Sequence, residues 1–170
     1  MTPDAAFKPH DDGKLDQGDI FALVPLVKWE DGEAKESPNR AVVTSHGCVC
    51  EDYERAIEKG QSSAADRVLI QVAPLRPAKD FKHKVDEIRN GQLLDRFFIE
   101  GDGPKLSHQV ADLSREQPVP ASLLVGCQKI ARLSDQQWEA LLVHMAIARF
   151  RIDPAKLFRD EILRGAANGA

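Results

Sequence analysis

The most constraining feature of this 170-residue sequence is a series of short strand-forming segments separated by glycine and proline. The strongest segment, RVLIQVAPL at Arg67–Leu75, is rich in β-branched residues and has Pro74 near its end. Many short strands with such turn signals are typical of a small barrel or sandwich. The other predicted strands are Asp19–Trp29, Arg40–Ser45, Asp95–Glu100, Gln109–Ser114, one around Ser122–Gly126 and one through Gln128–Leu133.

Two intervening segments carry different signals. Glu30–Asn39 (EDGEAKESPN) is polar and contains glycine and proline, so we expect a loop. Phe81–Gln92 has helical spacing of its apolar residues, with Gly91 as the stop.

The C-terminal part predicts two helices. Ser134 followed by Gln137 is a capping-box pattern, and the apolar residues beyond it recur at helical spacing, which predicts a helix over Asp135–Arg151. Asp153 and Pro154 then begin a second helix, which we expect to seal one end of the strand-rich body. The predicted fold class is therefore α+β, a body of five to seven short strands with C-terminal helices.

Length and composition indicate one domain. A chain of this length buries a core without disulfide or metal staples, and 42% of its residues are hydrophobic. We expect a flexible leader over residues 1–16, one domain over residues 17–164 and a tail over residues 165–170.

Charge and cysteine content narrow the functional class. The net charge of -4 argues against a broad, nonspecific nucleic-acid surface, which would need an excess of lysine and arginine. Three cysteines cannot form a complete disulfide framework, and the sequence shows neither a signal peptide nor a membrane-length apolar stretch. These features predict a cytoplasmic protein with reduced thiols and no membrane contact.

The segment AVVTSHGCVCED places His46, Cys48 and Cys50 in five positions at a predicted strand end. Imidazole and thiolate are preferred zinc ligands, but alternate strand residues are about 6.6 Å apart at 3.3 Å per residue, too far to share one metal without a bend. No complementary pair of ligands follows, so no metal site is assigned and no cofactor is expected.

Three other interpretations of this cluster stay open. Cys48 and His46 would form a thiolate–imidazole nucleophile if the chain bends at Gly47. A Cys48–Cys50 redox pair would be geometrically awkward. The favoured interpretation is that the thiols pack as small hydrophobes while His46 bonds a loop carbonyl.

Five further positions are candidates for a functional or a structural role. Asp19, after Gly18, has the pattern of turn chemistry, and His144 is expected to be a partly buried, hydrogen-bonded imidazole. Of the adjacent Phe97 and Phe98, at least one belongs to the core, so at most one stacks on a ligand. Trp29 beside a polar loop marks an interface.

Three segments in order resemble the MazF/PemK family, the growth-inhibiting toxins of bacterial toxin–antitoxin pairs. They are QGDIFALVPL (Gln17–Leu26), RAVVTS (Arg40–Ser45) and VLIQVAPLRP (Val68–Pro77), so the resemblance covers roughly residues 17–135. The chain also resembles a set of uncharacterised bacterial proteins with a Ser-His-x-Cys or Thr-His-x-Cys strand end. The family resemblance implies a partly open SH3-like β-barrel that dimerises and cleaves single-stranded RNA without a metal.

The resemblance also implies site residues. Arg40 matches the family's arginine ahead of the second strand, although Ala41 stands where a proline normally follows. The second catalytic position, a Thr or Ser in the toxins, is occupied here by Leu75 and Arg76. The predicted catalytic residues are therefore Arg40, His46 as general base and Arg76 as phosphate clamp.

Two functions follow as hypotheses. One is a MazF/PemK-like endoribonuclease of a toxin–antitoxin or phage-defence system, with an antitoxin or other protein partner and single-stranded RNA as ligand. The alternative is a noncatalytic barrel module that binds a protein or a nucleic acid.

Overall fold

The computed structural model describes residues 7–8, 13–103 and 106–150 and shows the predicted α+β architecture. In that part of the chain there are eight strands, which exceeds the predicted five to seven, and five α-helices. The strands are β1 (Phe7–Lys8), β2 (Asp19–Glu30), β3 (Glu33–Val43), β4 (Leu69–Pro77), β5 (Arg96–Ile99), β6 (Gln109–Asp112), β7 (Gln117–Pro120) and β8 (Gln128–Leu133). The helices are α1 (Gly47–Glu58), α2 (Ser62–Ala65), α3 (Val85–Arg89), α4 (Ala121–Val125) and α5 (Asp135–Phe150).

All paired strands are antiparallel and belong to one open sheet. The strand order is β1-β8-β2-β3-β4-β6-β5, and β7 also pairs with β4. Strand β4 lies at the centre, because it pairs with β3 on one side and with both β6 and β7 on the other. The two partners on that side share its length: β7 pairs with Leu69–Val72 and β6 with Leu75–Pro77.

The β2–β3 hairpin corrects the predicted loop at Glu30–Asn39. Most of that segment is strand, and the connection is reduced to Asp31 and Gly32, whose φ angles are 54° and 80°. Positive φ at both positions is the geometry of the tight turn that suits the twist of two antiparallel strands, and Asp-Gly favours it. Local turn chemistry thus outweighs the polar composition of the segment.

Pro25 has no backbone N–H and so cannot donate a hydrogen bond to a neighbouring strand. It lies inside β2, opposite Pro38, in the part of the hairpin that neither β8 nor β4 flanks. A bulge at Phe21–Val24 precedes it. An unflanked strand tolerates a residue that cannot donate to a ladder.

Two other segment predictions differ from the structure. Ser122–Gly126 was predicted as a strand and forms most of α4, whose buried residues are Ala121 and Leu124, three positions apart. A spacing of three positions fits a helical turn. The strand prediction for this short apolar run was therefore wrong, because such a run does not by itself distinguish a strand from a helix. The helix predicted over Phe81–Gln92 is divided into a 3₁₀ segment (Ala78–Lys84) and α3, and the φ of 37° at Lys82 interrupts it.

Helix α5 confirms the capping-box prediction. It spans Asp135–Phe150, the Ser134 hydroxyl accepts a hydrogen bond from the Gln137 backbone N–H, and Trp138 and Leu141 are buried. The predicted second helix, beginning at Asp153, lies outside the described residues.

The sheet has apolar clusters on both faces. Successive strand residues point to opposite faces, so Ala41 and Val43 pack in one cluster and Val42 in the other. Helices α1, α2 and α4 contribute to the first cluster, and α5 contributes to the second, together with residues from β5 and β6. The centre of the sheet is therefore covered from both sides.

Part of the predicted leader takes part in this structure. Phe7 and Lys8 pair with Leu133 and Arg132 of β8, and Leu15 is buried in the first cluster. These positions are joined to the domain by backbone pairing and apolar contact.

His144 is the partly buried imidazole that the sequence predicts. It lies on α5, its ring contacts Phe97 edge-on at a centroid distance of 5.5 Å, and Nε2 is 3.0 Å from the Leu94 carbonyl oxygen. Burial lowers the pKa of His144 from 6.5, and the hydrogen bonds to backbone carbonyls oppose this shift only in part.

The lowered pKa of His144 predicts a stability loss in acid. Below pH 6.5 the unfolded chain binds a proton at this position more readily than the folded chain. The free energy of unfolding should therefore fall as pH drops from 6.5 toward the lowered pKa. Denaturant titrations at several pH values should show this fall in the wild type and a shallower one in His144→Gln, with His83→Gln as the control for losing an exposed imidazole. Equal slopes in the wild type and His144→Gln would contradict the assignment.

Candidate functional site

The two predicted catalytic arginines occupy neighbouring backbone positions but opposite faces. Arg40 on β3 is in register with Leu75 on β4, so Arg76 is the next residue along the paired strand. Because paired residues share a face and successive residues alternate, the two side chains leave the sheet on opposite sides. Both residues are exposed.

Arg76 already has local partners. Its guanidinium lies 3.6 Å from the Asp80 carboxylate and 5.2 Å from the centroid of the Phe81 ring. The arginine side chain is 54% exposed, so the ion pair is a surface pair of small energetic weight.

His46 lies at the other end of the same strand pair. The part of β3 that pairs with β4 extends from Arg40 to Val43, and Val43 lies opposite Val72. His46 follows Val43 by three residues. Strand β4 runs in the opposite direction, so Arg76 lies four residues after Val72, at the Arg40 end of the strand pair. The structure therefore does not gather Arg40, His46 and Arg76 into one site.

After the predicted strand end, His46, Cys48 and Cys50 form the start of a helix and do not continue the strand. His46 is the N-cap of α1: its backbone is extended, and its Nδ1 accepts a hydrogen bond from the Cys48 backbone N–H at 3.2 Å. The side-chain amide oxygen of Gln17 accepts from the Gly47 N–H at 3.0 Å. Side chains thus satisfy two of the N–H groups that a helix start leaves without a partner inside the helix.

The helical geometry separates the two thiols and joins the first to the imidazole. The Cys48 Sγ lies 3.2 Å from His46 Nδ1, and both residues are exposed. Cys50 points into the first apolar cluster with 1% of its surface exposed, where burial and then nearby carboxylates raise its pKa to about 12. Cys50 therefore packs as a small hydrophobe, as expected, whereas Cys48 does not.

These placements bear on the metal candidates. Among the described residues, no group of three or more His, Cys, Asp or Glu side chains is arranged to hold a metal ion. His46 and Cys48 converge, but Cys50 faces the core.

A buried charge cluster lies beside the start of α1. Asp19 is completely buried, and its carboxylate contacts the Arg132 Nε at 2.6 Å and the Lys129 Nζ at 3.2 Å. It also accepts the Asp16 backbone N–H at 2.8 Å, which is the turn role expected of it. Both cationic side chains are largely shielded from solvent and also reach the Lys14 carbonyl oxygen.

The charge cluster and the helix start form one connected polar region. The Arg132 guanidinium lies 3.7 Å from the Asp16 carboxylate, and the next residue, Gln17, holds the Gly47 N–H of α1. The segment Asp16–Asp19 therefore links β8 to His46 and Cys48.

Sequence reasoning missed Lys129 and Arg132. The strand that carries both residues was predicted, but no strand pairing was. The pairing of β8 with β2 puts Arg132 opposite Asp19. The available signal was a pair of basic residues that alternate with the apolar Ile130, Ala131 and Leu133, since charges in a covered strand need a partner.

The remaining aromatic candidates divide between core and surface. Phe98 is 8% exposed and packs in a third apolar cluster, while Arg96 beside it is held by Asp112 at 2.6 Å. Phe97 contacts His144, so the Phe97–Phe98 run is core packing. Trp29, by contrast, is 76% exposed.

Comparison with known proteins gives no family assignment, since no family model and no curated protein match the chain. Within the described part of the chain, no helix combines the length and apolar character that a membrane crossing requires.

The buried cluster predicts a large effect of a small substitution. Asp19→Asn removes the charge that balances Lys129 and Arg132, and we expect it to lower the free energy of unfolding by about 3 kcal/mol, as for other broken buried ion pairs. Denaturant titration measures this directly. Glu30→Gln is the matched control, because it breaks an exposed pair with Lys35 and should cost less than about 1 kcal/mol. A similar loss of unfolding free energy in both variants would show that the buried ion pairs of Asp19 stabilise the fold no more than an exposed pair does.

Proposed function

We propose that the chain is a small SH3-like barrel protein, similar to the MazF/PemK family, that serves as a protein-binding module of a bacterial toxin–antitoxin or phage-defence system. The observation that carries the proposal is the strand path β8-β2-β3-β4-β7, five antiparallel strands in consecutive pairing. The strands at the two ends of this path, β7 and β8, are joined through the single five-residue helix α4, and the short β1 pairs with the outer side of β8. A link that short brings the two edges toward each other, which favours a curled, nearly closed sheet.

The segments that carry the resemblance are neighbours in this path. The GDI segment begins β2, RAVV ends β3 and VAPLRP ends β4, and these three strands pair in that order. Their adjacency supports a common origin with the toxin barrels. Of the remaining three strands, β5 and β6 extend from one half of β4, and β1 pairs with β8.

The arrangement of the side chains favours binding over catalysis. Arg40 and Arg76 leave opposite faces, and His46 lies beyond the other end of the strand pair. Leu75, where the toxins carry a hydroxyl, is 4% exposed and packs in an apolar cluster. Proton transfer to and from one reacting phosphate requires groups within hydrogen-bond reach of it.

The hairpin supplies a surface suited to a protein partner. Leu23, Val27 and Trp29 on β2 are 69%, 46% and 76% exposed, while Val24 and Leu26 between them are buried. Exposed large apolar residues along one strand, with an aromatic among them, are typical of interaction surfaces. We call Leu23, Val27 and Trp29 the hairpin face.

Site-specific photo-crosslinking tests the hairpin face. A photoreactive residue at position 29, in cells that carry the chain's natural partners, should give a discrete crosslinked protein, and Leu23→Ser should weaken the product because it removes apolar contact area. Ile57, an exposed apolar residue on α1, is the matched control position. Equal products at positions 29 and 57, or no effect of Leu23→Ser, would contradict a specific surface.

A metal-independent endoribonuclease is the second candidate. The observation in its favour is that Arg40 and Arg76 are both exposed and occupy neighbouring backbone positions at one end of the β3–β4 pairing. In this candidate the RNA's own 2′-hydroxyl attacks the adjacent phosphate, and the arginines hold the developing charge.

Induced expression distinguishes the two candidates. The binding module predicts unchanged growth and intact cellular RNA on induction, because Arg40 and Arg76 leave opposite faces of the sheet and His46 lies beyond the other end of the strand pair. The endoribonuclease predicts growth arrest with shortened RNA, abolished by Arg40→Ala but not by Arg67→Ala at an exposed control position. Arrest with RNA cleavage of that pattern would overturn the binding-module proposal.

A further inference from the structure

We propose that Cys48 is a nucleophilic thiol with His46 as its base, and that this pair is a site at which small, uncharged hydroperoxides oxidise the protein. The proposal does not depend on the partner of the hairpin face or on RNA cleavage. It rests on the geometry of the pair, on the contrast with the other two cysteines and on the charges around it.

The distance and the hydrogen bonding of the imidazole define the pair. The His46 Nδ1 lies 3.2 Å from the Cys48 Sγ, within reach for proton transfer from the thiol. The same nitrogen accepts the Cys48 backbone N–H, so Nδ1 carries a lone pair rather than a proton. The N-cap geometry of α1 thus presents the basic nitrogen to the thiol.

The three cysteines differ sharply in access and environment. Cys48 is exposed at the start of a 12-residue helix, where backbone N–H groups favour a negative charge. Cys50 is buried, and its pKa is raised to about 12. Burial also raises the pKa of Cys127, and its Sγ donates to the Leu123 carbonyl oxygen at 3.3 Å. The chain therefore contains two internal controls for the reactivity of Cys48.

The surroundings of the pair select the class of electrophile. Glu51 and Asp52 follow Cys48 by three and four residues on α1, which puts both on the same side of the helix as the thiol. Arg55 pairs with both carboxylates, so one negative charge is in excess beside Cys48. Excess negative charge disfavours anionic oxidants relative to uncharged peroxides.

The reaction balances with the peroxide as the only co-reactant. The Cys48 thiol gives its proton to His46 Nδ1, and the thiolate sulfur attacks one peroxide oxygen as the O–O bond breaks. The sulfur is oxidised by two electrons to sulfenic acid, and the peroxide is reduced. The leaving oxygen takes the proton from the imidazolium, which gives water from hydrogen peroxide and an alcohol from an organic peroxide.

Peptide-resolved labelling of the full chain tests the proposal. With limiting iodoacetamide, and separately with hydrogen peroxide followed by a sulfenic-acid probe, Cys48 should react at least about tenfold faster than Cys127 and Cys50. This factor is smaller than a positioned base contributes in a closed site, because the pair is open to water. The comparison is internal to the wild-type protein, so it does not depend on how any variant folds.

The variant His46→Asn separates the base from the helix cap. Asparagine is a good N-cap, so α1 should persist by circular dichroism, while the labelling rate of Cys48 should fall because the variant lacks the base. The proposal is overturned if Cys48 reacts no faster than Cys127, or if His46→Asn leaves the labelling rate of Cys48 unchanged.

Discussion

The burial of the Asp19 carboxylate is the constraint on which one end of the molecule depends. A fully buried charge is tolerated only with close partners, and Lys129 and Arg132 of β8 supply them. The same carboxylate holds the turn before β2 through the Asp16 N–H. Because Gln17 in that turn caps α1, the position of His46 and Cys48 follows from the pairing of β2 with β8.

Strand β4 plays the corresponding role at the centre of the sheet. It pairs with β3 along one edge and with both β6 and β7 along the other. The five-stranded path and the β5–β6 extension therefore meet at β4. Both faces are covered, with α1, α2 and α4 on one side and α5 on the other. That coverage explains why RVLIQVAPL is nearly continuous in its apolar character rather than alternating.

The side chains that meet in the structure are not the ones that the family resemblance implies. The resemblance to the MazF/PemK toxins directs attention to Arg40 and Arg76, but the side chains there are divided between two faces. The groups that do meet are a thiol and an imidazole at the start of a helix. The hairpin face on β2 and the thiol–imidazole pair at the start of α1 are consequently separate features of the molecule, and the Asp16–Asp19 turn connects the two elements.

The sequence by itself determined the α+β class, helix α5 and most of the strands, because β-branched runs and a capping box act through local propensities. It also contained the Asp31–Gly32 turn, although the polar composition around it concealed the hairpin. It did not determine that His46 begins a helix or that Arg132 faces Asp19, since both depend on contacts with residues about thirty or more positions away. Only the tertiary structure decided those points, because a helix start and a buried charge are stabilised by whichever distant groups the folded sheet brings within hydrogen-bonding distance.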